Sequence, residues 1–249
     1  MPKVSFVMPN RNKAVYITEA INTILSQTLE DIELIIIDDD STDDSRDIID
    51  YYVNKDKRVR KIYLDPVDLP VAERIDRARN IGNKEAKSDI ICVQDSDDWN
   101  FPKRAEITYE TLTPKKECDL FFSSYYQRDR FGKVDERIPN YLPAVEFSVR
   151  RLKETGFFFI GHLTVGYRKE TILSHPYNSD AGVGDWGMLY SLLIKAGVKS
   201  CYSEEPLCIY RVYNNALKNL HDEKFNQYLF DKKQKKMELM GELKNILSV

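Results

Sequence analysis

Asp95, Asp97 and Asp98 put three carboxylates within four residues, directly after the apolar run Ile90-Ile91-Cys92-Val93. Like charges at this spacing repel one another and resist shared ionisation unless a cation or strong donors compensate, and a divalent metal at a strand's carboxyl end does so. Taken alone, the segment also reads as an acidic turn in which Asp97 or Asp98 caps a helix begun by Pro102. A second acidic run, Asp38-Asp39-Asp40, closes the aliphatic stretch Leu34-Ile35-Ile36-Ile37, and Pro9-Asn10-Arg11-Asn12 closes the apolar stretch Val4 to Met8.

The elements that must carry these loops follow from periodicity. Four consecutive aliphatic residues at 34–37 suit a parallel strand covered on both faces. Val15, Ala20, Ile21, Ile24 and Leu25 form a helical stripe, as do Ile48, Ile49, Tyr52 and Val53 behind a cap supplied by Thr42, Asp43 or Ser45. Arg60 to Leu64 predicts a third strand. The resulting strand–helix alternation implies an α/β fold with right-handed crossovers and a mostly parallel sheet. In such sheets ligands gather beyond the carboxyl ends of the strands, where topology brings the three polar loops together and favours a metal-assisted site. The helix predicted over Ala72 to Ala86 carries Arg74, Arg77, Arg79, Lys84 and Lys87, mostly a solvated face with a basic residue at the acidic rim to meet phosphate.

Further on, the pattern predicts a helix from about Pro102 to Leu112, a strand at Cys118 to Phe122 and an irregular excursion over 125–160. Strand character returns at Gly161 to Tyr167, followed by a brief helix at Lys169 to Leu173 and a clearer one from Asp185 to Ala196. Two short strands, Cys201-Tyr202 and Leu207 to Tyr210, are joined through Glu204-Glu205-Pro206. A helical tail from about Asp222 carries the Lys232 to Lys236 block, read as a solvated face rather than a surface for anionic lipid.

Composition sets the outer limits. With 249 residues, 42% hydrophobic and 31% charged, the chain has the makeup of an ordinary globular protein. A net charge of −3 argues against a surface spread over nucleic acid. Cys92, Cys118, Cys201 and Cys208 show no paired spacing and read as reduced, buried thiols. No signal peptide precedes the first strand and no apolar stretch is long enough to span a bilayer, so a cytoplasmic protein with at most peripheral membrane contact is expected.

Six segments in order give the chain a resemblance to the family-2 glycosyltransferases of GT-A fold: Val4 to Asn12, Ile21 to Gln27, Glu33 to Asp43, Ala78-Arg79-Asn80-x-Gly82, Asp95-Ser96-Asp97-Asp98 and Gly184-Asp185-Trp186. The resemblance implies one GT-A domain over 1–220, with a nucleotide-sugar half (1–100) and an acceptor half (101–220), followed by a helical extension (221–249). It also implies donor contacts from Pro9, Arg11, Asn12, Asp39, Arg79, Asp95, Ser96 and Asp97, and a Mn²⁺ or Mg²⁺ ion on Asp97 and Asp98. Asp39 would accept the imide N–H of uracil, and Asp185 would be the base. The implied activity is inverting transfer of one hexosyl or N-acetylhexosaminyl unit from a UDP-sugar to a glycan or lipid-linked glycan in polysaccharide or cell-envelope synthesis. A catalytically silent nucleotide-sugar-binding protein on the same scaffold is the alternative.

Three positions depart from the family pattern. Arg11 stands where an aromatic residue often packs on the base, and Asp40 where a small residue is usual. Tyr213 stands where a histidine often follows Tyr210-Arg211, leaving a third protein ligand to the metal without a candidate. Asp185 also suits the amino end of its helix, so its two readings, cap and base, separate by experiment. Asp185→Asn is expected to abolish sugar transfer while nucleotide affinity, measured by calorimetry, stays near wild type; equal loss of both would reject the base.

Overall fold

The computed structural model describes residues 1–113, 118–128, 134–135, 161–178, 188–189, 192 and 196–211. Its first half follows the predicted alternation: β1 (Val4–Asn10), α1 (Ala14–Leu25), β2 (Ile32–Asp38), α2 (Ser45–Lys55), β3 (Val59–Tyr63), α3 (Val71–Glu85) and β4 (Ile90–Val93). These strands run parallel in the order β3-β2-β1-β4. Every residue of β2 is buried, as its unbroken aliphatic run requires. Because side chains alternate along a strand, Leu34 and Ile36 pack with Ile17, Ile21 and Ile24 of α1 and Ile49 of α2, while Ile35 and Ile37 pack with Ala78 of α3 on the other face. The nucleus of the fold is therefore one sheet clothed by helices on both sides.

The second half extends the same sheet by other means. It comprises β5 (Trp99–Asn100), α4 (Arg104–Leu112), β6 (Leu120–Arg128), β7 (Val134–Asp135), a 3₁₀ turn at His162–Thr164, β8 (Gly166–Arg168), α5 (Lys169–Ser174) and β9 (Ser200–Arg211). The antiparallel strand β8 bridges β4 and β6, β9 runs parallel to β6, and β5 closes the edge against β9. This return brings Arg211, the last residue of β9, back to the end of β4.

Several expectations need correction. The two strands predicted around Glu204-Glu205-Pro206 are a single strand, in which Ser203 pairs with Ser123 and Pro206 with Ser124. The extra residues form an irregularity that accommodates a proline lacking an N–H. His162–Thr164 form a 3₁₀ turn, so the strand expected from Gly161 to Tyr167 begins only at Gly166. Helix α4 begins at Arg104 behind Lys103, so neither Asp97 nor Asp98 caps it. Cys118 and Cys201 are not free thiols: β6 and β9 run side by side with Phe121 opposite Cys201, the two cysteine Cα atoms lie 5.8 Å apart, and the sulfurs are bonded. A pairing across 83 residues leaves no mark in local spacing. Cys92 and Cys208 are buried free thiols as expected. The predicted helix at 185–196, including Asp185, lies largely outside the described residues, with helix recorded at Met188 and Leu189. The irregular excursion expected from residue 125 starts later, because β6 runs on to Arg128; residues 129–160, apart from β7, and the tail beyond Arg211 with Tyr213 and Lys232 to Lys236 also lie outside the described residues.

Helix α3 can approach β1 and β2 closely because Gly82 faces them. A Cβ there would sit 2.4 Å from Val7 Cγ1 and 2.6 Å from Ile37 Cδ1. Gly82→Ala is expected to destabilise the protein by about 1–3 kcal/mol through overpacking, read as a fall of roughly 2–4 °C in Tm per kcal/mol. An unchanged Tm would mean that α3 is free to back away.

Candidate active site

The loops after β1 and β2 are sewn together before any ligand arrives. Asp38 has no exposed surface, and its carboxylate accepts hydrogen bonds from Asn10 Nδ2 (2.9 Å), Ser41 Oγ (2.5 Å) and Arg46 Nε (2.7 Å). Asn12 N donates to Ser41 Oγ (2.9 Å), and Asn12 Oδ1 accepts from Thr42 N (2.7 Å). The expected caps of α2 work crosswise: Ser45 Oγ accepts Lys13 N and Asp43 Oδ2 accepts Ala14 N, so both serve the start of α1. Asn12 and Asp40 hold positive φ values of 51° and 57°, which Asn and Asp tolerate better than most residues. The unexpected Asp40 is thus a left-handed turn residue.

Asp39 lies just beyond this stitching, 5% exposed. Arg74 Nε donates to its Oδ2 at 2.7 Å, Arg11 Nη1 donates to its carbonyl at 2.6 Å, and Arg77 stands 4.0 Å from Oδ1. Burial raises the carboxyl's pKa against the pull of Arg11 and Arg77, and Asp38 and Asp40 add to the rise. Among the described residues Oδ1 has no hydrogen-bond donor. The basic face of α3 is therefore not simply solvated as predicted, since the side chains of Arg74 and Arg79 are only 13% and 6% exposed. Their aliphatic stems cross the helix surface and their guanidinium heads end on acids of the rim.

The Asp95–Asp98 turn is neutralised from three directions. Arg79 Nη2 donates to Asp95 Oδ1 (2.9 Å), and Lys13 Nζ donates to Asp97 Oδ2 (2.5 Å). Arg211 closes the third side, its Nε bonding the Asp97 carbonyl (2.9 Å) and its backbone N bonding Asp98 Oδ1 (2.8 Å). The same guanidinium lies over the Tyr16 ring and pairs with Glu19. Asp98 is 2% exposed, and among the described residues its Oδ2 has no donor. Burial pushes this carboxyl well above the usual range, Asp95 and Asp97 push it further, and the Arg211 N–H and Lys13 pull the other way.

These groups surround a pocket of about 450 Å³. Pro9, Arg11, Asp39, Arg79, Asp95, Ser96 and Asp97 line it, so the structure gathers most of the residues singled out from sequence. Asp98 lies beneath the wall and Asn12 in the loop stitching. Lys13, Arg74 and Arg211 were missed as site residues, because their partners are 84, 35 and 114 residues away. A larger cleft of about 750 Å³ opens at the opposite edge of the sheet, but its buried Glu33 is saturated by Ser5, Arg60 and the Lys87 N–H. Among the described residues no three His, Cys, Asp or Glu side chains are grouped to hold a metal. Asp97 and Asp98 supply two carboxylates with one orphaned oxygen, a donor set that fits a hard cation completed by phosphate oxygens or water.

Residues 5–172, more than half of the chain, match the family model for glycosyl transferase family 2. The chain belongs to that family. It is 32% identical over 149 residues to the glycosyltransferase GlyG of Streptococcus pneumoniae, covering 60% of this chain and 46% of that protein, so it spans less than half of GlyG's length. It is 28% identical over 216 residues to the putative teichuronic acid biosynthesis glycosyltransferase TuaG of Bacillus subtilis, covering 87% and 81% of the two chains. Among solved structures it resembles S. aureus TarS in complex with UDP-GlcNAc, with a TM-score of 0.62 at 17% identity over 85% of this chain and 59% of the other. It also resembles a mannosyltransferase of Pyrobaculum calidifontis in complex with GDP-Man and Mn²⁺, with a TM-score of 0.62 at 15% identity over 86% and 58%. At these identities the likeness establishes the fold, and the family-2 glycosyltransferase has the expected GT-A architecture.

Asp98 gives this site a stability signature. Its raised pKa means that the ionised form is disfavoured in the folded state, so the strain is present above the folded pKa and disappears as pH falls through it. Asp98→Asn keeps the oxygen that accepts from Arg211 N and removes the charge. In metal-free protein it is expected to raise Tm at neutral pH by a few degrees, roughly 2–4 °C per kcal/mol gained. The advantage should shrink as the buffer is acidified, and a Tm lowered at neutral pH would contradict this reading.

Proposed function

We propose that the protein is an inverting glycosyltransferase that moves one sugar from a nucleotide-diphosphate sugar, with UDP as its first choice of nucleotide, to a hydroxyl of a glycan or lipid-linked glycan. The observation that carries this reading is the convergence on one pocket of Asp39, with an unfilled acceptor oxygen, and the Asp97–Asp98 pair, with another. Asp39 Oδ1 suits an imide N–H of a nucleobase. Lys13, Arg74 and Arg79 stand between the two acidic loops, within reach of a diphosphate's charge. A Mn²⁺ or Mg²⁺ ion held by Asp97 and Asp98 would supply further neutralisation of the departing diphosphate.

Asp185 takes the acceptor hydroxyl's proton as the nucleotide leaves from the opposite face, and a single displacement inverts the anomeric centre. In this arrangement residues 1–100 hold the donor and residues 101–220 the acceptor. The complexes of TarS with UDP-GlcNAc and of the P. calidifontis enzyme with GDP-Man and Mn²⁺ support a nucleotide-sugar donor and a divalent ion. TuaG supports a role in polysaccharide or cell-envelope synthesis. Among the described residues no helix is long and apolar enough to cross a membrane. The setting proposed is cytoplasmic with peripheral access to a lipid-linked acceptor; the Cys118–Cys201 bond, of a kind rare in a reducing cytosol, counts against it.

Nucleotide release from UDP-, dTDP- and GDP-sugars, measured with Mn²⁺ and again with chelator, tests the proposal. Turnover is expected with a UDP-sugar and its loss with chelator. Turnover of GDP-sugars alone would remove the role given to Asp39, and no turnover with any donor would leave a binding protein.

A further inference from the structure

Behind the acidic turn lies a buried cation whose recorded partners are all neutral. Arg104, the first residue of α4, is 1% exposed, and among the described residues its guanidinium donates its hydrogen bonds to uncharged oxygens and lies 5.6 Å from the centre of the Phe6 ring, with no carboxylate paired to it. One nitrogen, Nη2, donates to the carbonyls of Val93 (2.6 Å) and Val165 (3.4 Å), holding the end of β4. The other, Nη1, donates to Asn100 Oδ1 and to Gln94 Oε1 (3.3 Å). Burying a guanidinium without a carboxylate is costly, and a well-packed apolar side chain would serve stability better. The arrangement calls for a reason outside the core.

Gln94 supplies one. It is 1% exposed, and its Oε1 is committed to Arg104 and to Asn100 Nδ2 (2.6 Å). With the oxygen facing those donors, the amide NH₂ must face the other way. There it donates to the carbonyls of Asp95 (2.8 Å) and Asp98 (3.1 Å), the two ends of a turn already closed by Asp98 N on Asp95 O (3.2 Å). A single side-chain amide, oriented by Arg104, thus ties both ends of the turn that bears the acidic cluster.

We propose that Gln94 and Arg104 are a positioning pair for the Asp97 and Asp98 carboxylates. The guanidinium fixes the rotamer of the amide, and the amide fixes the turn so that two mutually repelling carboxylates stay presented together instead of splaying apart. Sites of this kind require their groups to be held within about 0.5 Å, which a four-residue acidic turn cannot achieve unaided. This inference rests on the transfer reading above for its functional meaning, but its structural core can be tested without it.

Gln94→Glu is nearly isosteric, keeps an oxygen toward Arg104, adds the missing counter-charge, and removes both N–H donors to the turn. Gln94→Met removes the donors without adding charge. In ligand-free protein, both variants are expected to speed amide hydrogen exchange at Asp97 and Asp98 about tenfold while exchange in α1 and α2 stays at the wild-type rate. In nucleotide-sugar turnover, kcat is expected to fall about 10–100-fold, with donor KM little changed and the divalent-ion requirement shifted to higher concentration. Arg104→Lys keeps the charge but loses the fork, so it should reproduce the exchange change and decide the matter if the Gln94 variants fail to fold. Wild-type exchange in the turn would overturn the pairing. Faster exchange with wild-type kcat and ion requirement would reduce it to a structural role. If the wild-type protein turns over no nucleotide sugar, the transfer reading falls, and the exchange rates alone then judge the tether.

Discussion

Six carboxylates crowd the carboxyl ends of β2 and β4, and their mutual repulsion is the constraint around which the rim is built. Each cation that relieves it comes from elsewhere in the chain: Arg46 of α2 to Asp38 and Asp40, Arg74 of α3 to Asp39, Arg79 of α3 to Asp95, and Lys13, just before α1, to Asp97. Arg211 at the end of β9 brings a main-chain N–H to Asp98 and its guanidinium to the Asp97 carbonyl. Cationic residues from three elements and a loop meet here because a parallel sheet directs the carboxyl ends of its central strands to one edge. Among the described residues two of these carboxylates, Asp39 and Asp98, each keep an oxygen without a donor, and in the acidic turn burial and the neighbouring Asp95 and Asp97 push the Asp98 carboxyl well above the usual range.

Packing decides which cations arrive. Gly82 lets α3 lie against Val7 and Ile37, and the same seating buries Ala78 in the core and sets Arg79 just above it, aimed at Asp95. The second half of the chain then serves the first. The antiparallel strand β8 carries β6 and β9 into the sheet, and the length of β9 delivers Arg211 to the turn after β4. From behind, Arg104 and Gln94 hold that turn through uncharged groups. The acidic turn is therefore fixed by contacts separated by up to 114 residues in sequence.

What could be read from sequence was what local chemistry controls. The aliphatic runs of β1, β2 and β4, the stripes of α1 and α2 and the acidic strand ends stand where their patterns placed them, except that Val15, read into the α1 stripe, is 80% exposed in the first turn of the helix. Most of the candidate site followed, because Pro9, Arg11, Asp39, Arg79 and Asp95 to Asp97 line one pocket. Long-range pairings were invisible. The Cys118–Cys201 bond depends on the register of β6 against β9, the continuity of β9 depends on neighbouring residues that absorb Pro206, and the inward turn of Arg74 depends on an acid 35 residues earlier. A helix face that is charged in sequence looks solvated until the opposing charge is located in space. Asp185 was legible as a motif residue, but its place in the site lies outside the described residues.

The stitching of the β1–α1 and β2–α2 loops bears on how such a protein can diversify. Asn12 supports Thr42, Ser41 supports Asn12, and Asp43 and Ser45 hold the start of α1. Neither loop is a self-sufficient module, since each contains hydrogen-bond partners of the other. Replacing one with a counterpart from a relative would leave main-chain donors at the start of α1 unmatched, whereas the pair can travel together as a single cassette. The two loops are accordingly one structural unit, and engineering that grafts both at once respects a boundary the molecule has already drawn.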